Sequence, residues 1–250
     1  GYRVGVECER RSVLQMTDCQ LTGLTTYGIT LKEISNESFI RQTRIERCGW
    51  DGVFVRGKCS PTINDCRISN NEGNGIYALE EASPKIAGTR VENNIGIGIR
   101  LKERWDSAIR GNTIINNNGG GIVAEVRCNG EIVGNRVENN GKVGLLLNLD
   151  CAPSITKNRF FKNKGPGLLL QNSQPAILRD NQFIDNTEAA LRNEDAGTVQ
   201  AANNWWGTTD EKEIAKLIQD HASNNDWGKV EFRPWLTEPP ALNQNKTGGQ

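Results

Sequence analysis

Charged and polar side chains recur at every second position between residues 54 and 173, in rows that return about every 23 residues. Three rows carry the strongest chemistry: Arg100, Lys102 and Arg104; Val123, Glu125 and Arg127; Leu146, Asn148 and Asp150. Phe54, Arg56 and Lys58 and then Tyr77, Leu79 and Glu81 precede them, and Leu169, Gln171 and Ser173 follow. Arg100, Lys102, Arg104 and Arg127 form a set of cations suited to carboxylate or sulfate groups, which Arg grips in bidentate fashion. Glu125 and Asp150 can work as general acid or base, or share a hard cation such as Ca2+ with a neighbour. The same spacing also suits a solvated face on which Lys102 pairs with Glu125 and Arg127 with Asp150, each pair contributing a fraction of a kcal/mol.

Such rows need an element that repeats. Gly52, Gly75, Gly98, Gly121, Gly144 and Gly167 lie 23 apart, Gly28 precedes them by 24, and an aliphatic residue follows each. An apolar column runs in phase through Leu21, Ile45, Ile68, Val91, Ile114, Val137, Phe160, Phe183 and Trp206. Self-similarity at this period marks a solenoid whose units bury their apolar faces only by stacking. The unit from Ser107 to Gly130 holds three short β-rich runs between Asn/Gly clusters and no helical spacing, so each unit wraps once and bonds to the next at about 4.8 Å. The expected fold is all-β, a parallel β-helix of about nine coils. Asn112, Asn135, Asn158, Asn181 and Asn204 form one turn column, with Cys19, Thr43, Cys66 and Thr89 upstream of it. Asn71, Asn94, Asn117, Asn140, Asn163 and Asn186 form another, and both suit amide ladders along turns.

The frame N-x-I-x-x-N-x-x-x-G-I-x-L, as from Asn135 to Leu147, and the closing Asn203-Asn204-Trp205-Trp206-Gly207 resemble the right-handed parallel β-helix repeat proteins of the pectate-lyase-like superfamily over about residues 12 to 207. The resemblance implies that the outer face of the Gly-Ile strand binds saccharide. On that face Tyr77, Arg100, Arg104, Arg127 and Asn148 are the candidate substrate-binding residues, with Trp105, like Trp50, at a turn where an exposed indole can stack on a sugar ring. Candidate catalytic residues are Glu125, Arg127, Lys102 and Asp150, which match a lyase pattern of basic residue and calcium-binding acids only loosely. One fold hosts many functions, so the resemblance specifies activity poorly.

Thirty basic and thirty acidic residues cancel, which speaks against a general nucleic-acid partner. No apolar run reaches membrane-spanning length, and no signal peptide is visible. An outward column of Arg44, Arg67, Arg90, Arg136 and Arg159 is accompanied two positions on by Glu46, Glu92 and Glu138, which compensate its charge. His221 is the single histidine, so a His-based triad or multi-His metal site cannot be built. A copper site like that of the periplasmic accessory proteins of nitrous oxide reductase, which share this repeat, would have His221 and Met16 as its ligands, a poor set. No cofactor is expected beyond the Ca2+ option.

Seven cysteines cannot all pair internally; Cys128 and Cys151 share a column within bridging reach, but reduced thiols are the expected state. That state points to a reducing compartment, whereas the polysaccharide-active members of the family are commonly exported. The expected layout is β-helix repeats over 1–207, a cap over 208–237 and a disordered tail over 238–250. In the cap, Thr208 and Glu211 read as a capping box opening a helix with Ile214, Leu217 and Ile218 on one face, and Val230, Phe232 and Trp235 as a final strand. The chain opens inside a repeat, which suggests a further cap, domain or partner on the N-terminal side. Units so regular leave little loop to wall a cleft. The leading function is therefore a carbohydrate-binding or carbohydrate-processing module with an oligosaccharide or polysaccharide ligand, binding favoured over catalysis. A non-enzymatic scaffold or protein-interaction domain, and a polysaccharide lyase acting on uronates, are the alternatives.

Overall fold

Three β-rich runs per unit give three parallel sheets in the computed structural model, which describes residues 4–241. Sheet A has ten strands, from Val6–Glu9 through Ile97–Lys102 to Ile218–Gln219; sheets B and C have eight each, ending at Ile177–Arg179 and Gln182–Ile184. Among the repeats each pairing joins equivalent residues of successive units, as in Ile76↔Ile99, Ile99↔Ile122 and Ile122↔Leu145. Inward positions of all three sheets form the core, and Ile76, Ile99, Ile122, Leu145 and Leu168 are fully buried. This is the parallel β-helix that the repeat predicts.

The glycine column begins one coil earlier than its regular spacing advertises, at Gly5, and ends after Gly167, where Ala190 takes the place. Its cause is steric. A Cβ on Gly98 would meet the Gly121 carbonyl at 2.7 Å, the Asn117 Nδ2 at 2.8 Å and the Ile114 Cγ2 at 2.6 Å. The glycines therefore make room for the asparagines stacked beside them.

Both asparagine columns are buried and bonded. At the turn between sheets B and C, Asn112 Nδ2 donates to Asn135 Oδ1 at 3.0 Å and to the Ile86 carbonyl at 3.0 Å. Asn135 repeats this with Asn158 Oδ1 and the Ile109 carbonyl, both at 2.9 Å. Each Oδ1 also accepts the preceding coil's backbone N–H, so the amides are satisfied where an unpaired group would be costly. Upstream, Thr89 accepts from Cys66 N in the same way at 3.3 Å, and Cys48 N opens the other column by donating to Asn71 Oδ1 at 2.9 Å. Most of the cysteines are thus turn-column residues. All seven are free thiols; burial pushes Cys48 and Cys66 up to about 11. Cys128 and Cys151 stack without a bridge, Cys128 N donating to Cys151 Sγ at 3.2 Å.

The cap differs in detail from its sequence reading. The helix Glu211–Lys216 is capped by Asp210, whose side chain accepts from Lys212 N at 2.8 Å and Glu213 N at 3.2 Å. Thr208 Oγ1 instead accepts from Asp210 N at 3.2 Å, which makes it the residue that fixes the cap rather than the cap itself. The chain then re-enters sheet A at Ile218–Gln219, beside Leu191–Asn193. The final strand is Val230–Glu231 alone; Phe232 and Trp235 lie beyond it, Phe232 meeting Trp206 edge-on at the end of the stack Phe160, Phe183 and Trp206, whose rings lie 5.1 Å apart. In the 238–250 segment, Pro240 still touches the solenoid through a 2.8 Å bond from Gln182 Nε2, and residues 242–250 lie outside the described part.

Candidate functional site

The outer face of sheet A carries two adjoining features. Toward the N-terminal end, residues on three successive coils make an aromatic cluster. Tyr27 stacks on Phe54 at 4.9 Å, Trp50 stands edge-on to Tyr27 at 4.9 Å, and Phe54 meets Tyr77 at 5.7 Å. The Arg100 guanidinium lies over the Tyr77 ring at 5.2 Å. Trp50 is 49 % exposed, so the cluster presents an indole to solvent. Register explains the assembly: Phe54, Tyr77 and Arg100 are direct partners in the ladder, and Trp50 reaches them from the turn between sheets C and A.

Next to the cluster is a shallow groove of about 530 Å³. Its floor is Val123, Leu146 and Leu169, and Lys142 and Lys164 stand on the rim, on the turn between sheets C and A. Arg100 and Glu125, joined at 2.9 Å, bound one end; Arg192 and Glu188, joined at 2.7 Å, are also part of the lining. Glycines on the turn, Gly119, Gly141 and Gly165, keep this wall low.

Asp51 lies at the base of Trp50 and is 7 % exposed. Its Oδ1 accepts from Asn74 N at 2.6 Å and Asn74 Nδ2 at 2.8 Å. Burial raises its pKa; the two Asn74 bonds and the Arg100 charge oppose the shift without cancelling it. Its charged form is therefore disfavoured in the fold, a penalty present above the folded pKa that disappears as pH falls below the unfolded value. Asp51→Asn keeps the Oδ1 acceptor and removes the charge. It is expected to raise the melting temperature at pH 7 and to lose that advantage as the buffer is acidified toward pH 4, which a thermal-unfolding series at several pH values checks.

The structure brings some sequence candidates together and separates others. Tyr77, Arg100 and Glu125 are half-buried and contiguous on the face. Asn148 follows Glu125 in the ladder. The expected Lys102–Glu125 pair does not form: Arg100, two residues earlier on the strand, holds Glu125, and Lys102 lies 4.0 Å from Glu103. Nor does the Arg127–Asp150 pair. Both residues sit in left-handed turns after the strand, at φ 55° and 61°, and neither makes an ion pair among the described residues. Arg104, also left-handed, pairs with Glu81 at 2.9 Å.

Trp105 is corrected outright. It is fully buried, its Nε1 donating to the Pro84 carbonyl at 3.3 Å. After the left-handed pair Glu103–Arg104 the chain turns inward, and Trp105 falls in a buried column with Cys59, Ala82, Cys128 and Cys151. Ser173 joins that column rather than the outer face, because its coil is one residue shorter, and its hydroxyl accepts from Cys151 N at 3.0 Å. The groove likewise has its wall on the other side of the sheet, at the turn between sheets C and A. Sequence reasoning missed Tyr27, Asp51, Lys142 and Lys164, although all lie in the turn segments that precede the glycine column.

On sheet C the expected compensation of the Arg column forms around Glu92 and Glu138, whereas Arg44 and Glu46 make no ion pair among the described residues. Glu92 takes Arg67 at 2.8 Å and Arg90 at 2.7 Å, and Glu138 takes Arg136 at 2.9 Å and Arg159 at 3.2 Å. Burial works against the Glu92 charge, but the Arg90 and Arg67 bonds outweigh it and hold the carboxyl below its usual range. From Arg67 to Arg159 the column therefore offers little free charge to a polyanion.

Residues 4–156 match the model of the right handed beta helix region, and residues 107–227 match that of the periplasmic copper-binding protein NosD. No curated protein matches the sequence. Among solved structures, the periplasmic alginate epimerase AlgG aligns with a TM-score of 0.54 at 14 % identity, over 93 % of this chain and 76 % of that one. Pectate lyase Pel9A aligns with a TM-score of 0.53 at 13 % identity, over 89 % of this chain and 58 % of that one. At such identities the likeness is one of fold. Among the described residues no three His, Cys, Asp or Glu side chains are grouped to hold a metal, and no helix is long and apolar enough to cross a membrane.

Proposed function

The chain belongs to the right-handed β-helix family, and from that premise we propose that it is a carbohydrate-binding module whose ligand lies along the outer face of sheet A. The observation that carries this reading is the exposed Trp50 on the Tyr27–Phe54–Tyr77 cluster, continuous through Arg100 with the groove. Aromatic faces stack on the apolar faces of sugar rings, and groove cations bind carboxylate or sulfate substituents. The solved neighbours, an alginate epimerase and a pectate lyase by name, make a polysaccharide ligand the natural first choice.

Binding is favoured over catalysis because the four acid–base candidates do not converge. Of Glu125, Arg127, Lys102 and Asp150, only Glu125 lines the groove, and Arg100 already neutralises it. A lyase acting on uronates through Arg127, Lys102 and Glu125 would need those groups on one substrate carbon. Copper is a poor fit for this donor set. His221 is an exposed residue of the cap whose Nδ1 lies 3.1 Å from the Trp227 carbonyl, Met16 belongs to the first coils, and the Cys128 and Cys151 thiols are buried among backbone carbonyls. The apolar floor of Val123, Leu146 and Leu169 would also suit a protein partner, and the test separates the two.

An array of acidic and neutral oligosaccharides probed with the wild type is expected to show binding. Trp50→Ala should weaken it roughly tenfold, equivalent to about 1.4 kcal/mol. Lys142→Ala with Lys164→Ala should weaken acidic glycans and spare neutral ones. Absence of binding to every glycan overturns the proposal and favours the scaffold reading.

A further inference from the structure

We propose that sheet B contains a slot, between Ile177–Arg179 and Val199–Gln200, that takes one extended peptide segment of a partner protein as an added strand. The wall of the solenoid is interrupted there. Ile177–Arg179 pairs with Ser154–Thr156 behind it and ends the sheet. In the following coil, Val199–Gln200 pairs not with it but with Val230–Glu231 in the cap. A cavity of about 310 Å³ separates the two, lined by Gln174–Arg179 on one lip and by Val199, Gln200 and Ala202 on the other.

The lips carry the reason for choosing a backbone as occupant. Val199 N donates to Lys229 O and Ala201 N to Glu231 O, both at 2.8 Å and both toward the cap. In a parallel ladder, alternate residues face opposite neighbours, so the Gln200 N–H and C=O point into the slot. By the same alternation Leu178 faces it from the other lip. Its carbonyl accepts from Asn204 Nδ2 at 3.0 Å, and its N–H faces an edge on which no strand pairs. Two facing edges on which no strand pairs are the pattern that an inserted strand satisfies. Ile177, 42 % exposed, offers the occupant an apolar contact at the mouth. The slot is short and defined: a 2.7 Å bond from Asp180 N to Asn203 O closes one end, and Gln174 Nε2 reaches Asp195 Oδ1 at 3.1 Å at the other.

The probe is a synthetic heptapeptide copying residues 152–158, the stretch that already pairs with Ile177–Arg179 on its other edge. In the full chain alone, hydrogen exchange at the Leu178 and Gln200 amides is expected to be fast. Addition of the peptide should shift both amide resonances and slow their exchange. A peptide N-methylated across its Ser-Ile-Thr core should bind at least tenfold more weakly, since it keeps the side chains and loses the donors. Gln200→Pro, which removes the slot-facing N–H, should weaken binding as well. Unchanged resonances, or equal binding by the methylated peptide, would overturn the proposal. So would slow exchange at both amides in the protein alone, because the slot would then already be filled by the chain itself.

Discussion

Gly121→Ala is expected to destabilise the solenoid by about 3 kcal/mol or more, at the upper end of the cost of overpacking a close-packed interior. The added methyl has nowhere to go. It would meet the Gly144 carbonyl at 2.5 Å, the Asn140 Nδ2 at 3.0 Å and a methyl of Val137 closer still. Two of these are backbone or turn-amide atoms already held in bonds to adjacent coils, so neither yields cheaply. The glycine is not there for backbone freedom. Gly134, at φ +68°, is the contrasting case: nothing but Gly111 N, at 3.9 Å, lies near its missing Cβ. Gly134→Ala should cost only about 1 kcal/mol, the penalty of a left-handed alanine. Urea unfolding of both variants, with amide exchange to locate the loss, tests the argument. Because repeat units couple to nearest neighbours, the Gly121→Ala damage should centre on the coils from Gly98 to Gly144. Equal costs for the two variants would sink the steric account.

The glycine column was legible because its cause is local and repeats unchanged from coil to coil. The place where it stops is equally instructive. Ala190 replaces glycine in the ninth coil, and its N–H donates at 2.7 Å to Leu217, which belongs to the cap rather than to another coil of the same kind. With no further asparagine stacked beside it, the Cβ is tolerated. The core columns and the parallel register could be read for the same reason.

The site was less legible, and the failures have physical causes. Alternation predicts which strand residues face outward, and it placed Phe54, Tyr77, Arg100 and Glu125 on one face, as found. It says nothing about which of several cations a carboxylate selects. Arg100 reaches Glu125 diagonally, from the preceding coil and two residues back from the direct ladder partner, a contact within range of a long side chain. It also fails where the strand ends. Left-handed pairs such as Glu103–Arg104 re-aim the chain, so Trp105 is buried although it lies one residue from an exposed arginine. The groove and the slot depend on turns and on the pairing partner of a displaced strand, which the period does not encode.

Asn158 offers the second test of large effect, because its amide is completely satisfied and 0 % exposed. Oδ1 accepts from Asn135 N and Nδ2, both at 2.9 Å; Nδ2 donates to the Ile132 carbonyl at 2.8 Å and to Asn181 Oδ1 at 3.1 Å. Asn158→Ala leaves two buried donors and two buried acceptors each short of a bond, and should cost about 3–5 kcal/mol at about 1–3 kcal/mol for each unsatisfied donor. Asn158→Thr should cost much less. The chain already uses threonine in this column, where Thr89 Oγ1 accepts from Cys66 N at 3.3 Å and donates to the Ala87 carbonyl at 3.1 Å. Asn158→Asp is the most diagnostic variant. It retains one acceptor but turns the donor toward two oxygens, so the ionised carboxyl is disfavoured by burial and by repulsion, and its folded pKa must rise above the unfolded value. The penalty is then fully present above the folded pKa and is relieved as pH falls, when the protonated carboxyl regains a donor. The Asn158→Asp variant should therefore be more stable at pH 5 than at pH 8 relative to wild type, with Asn158→Ala showing no such trend. Parallel denaturation curves at the two pH values decide it: a threonine variant as unstable as the alanine one, or an aspartate variant without pH dependence, would mean that the stack is packing alone and that its hydrogen bonds contribute nothing measurable.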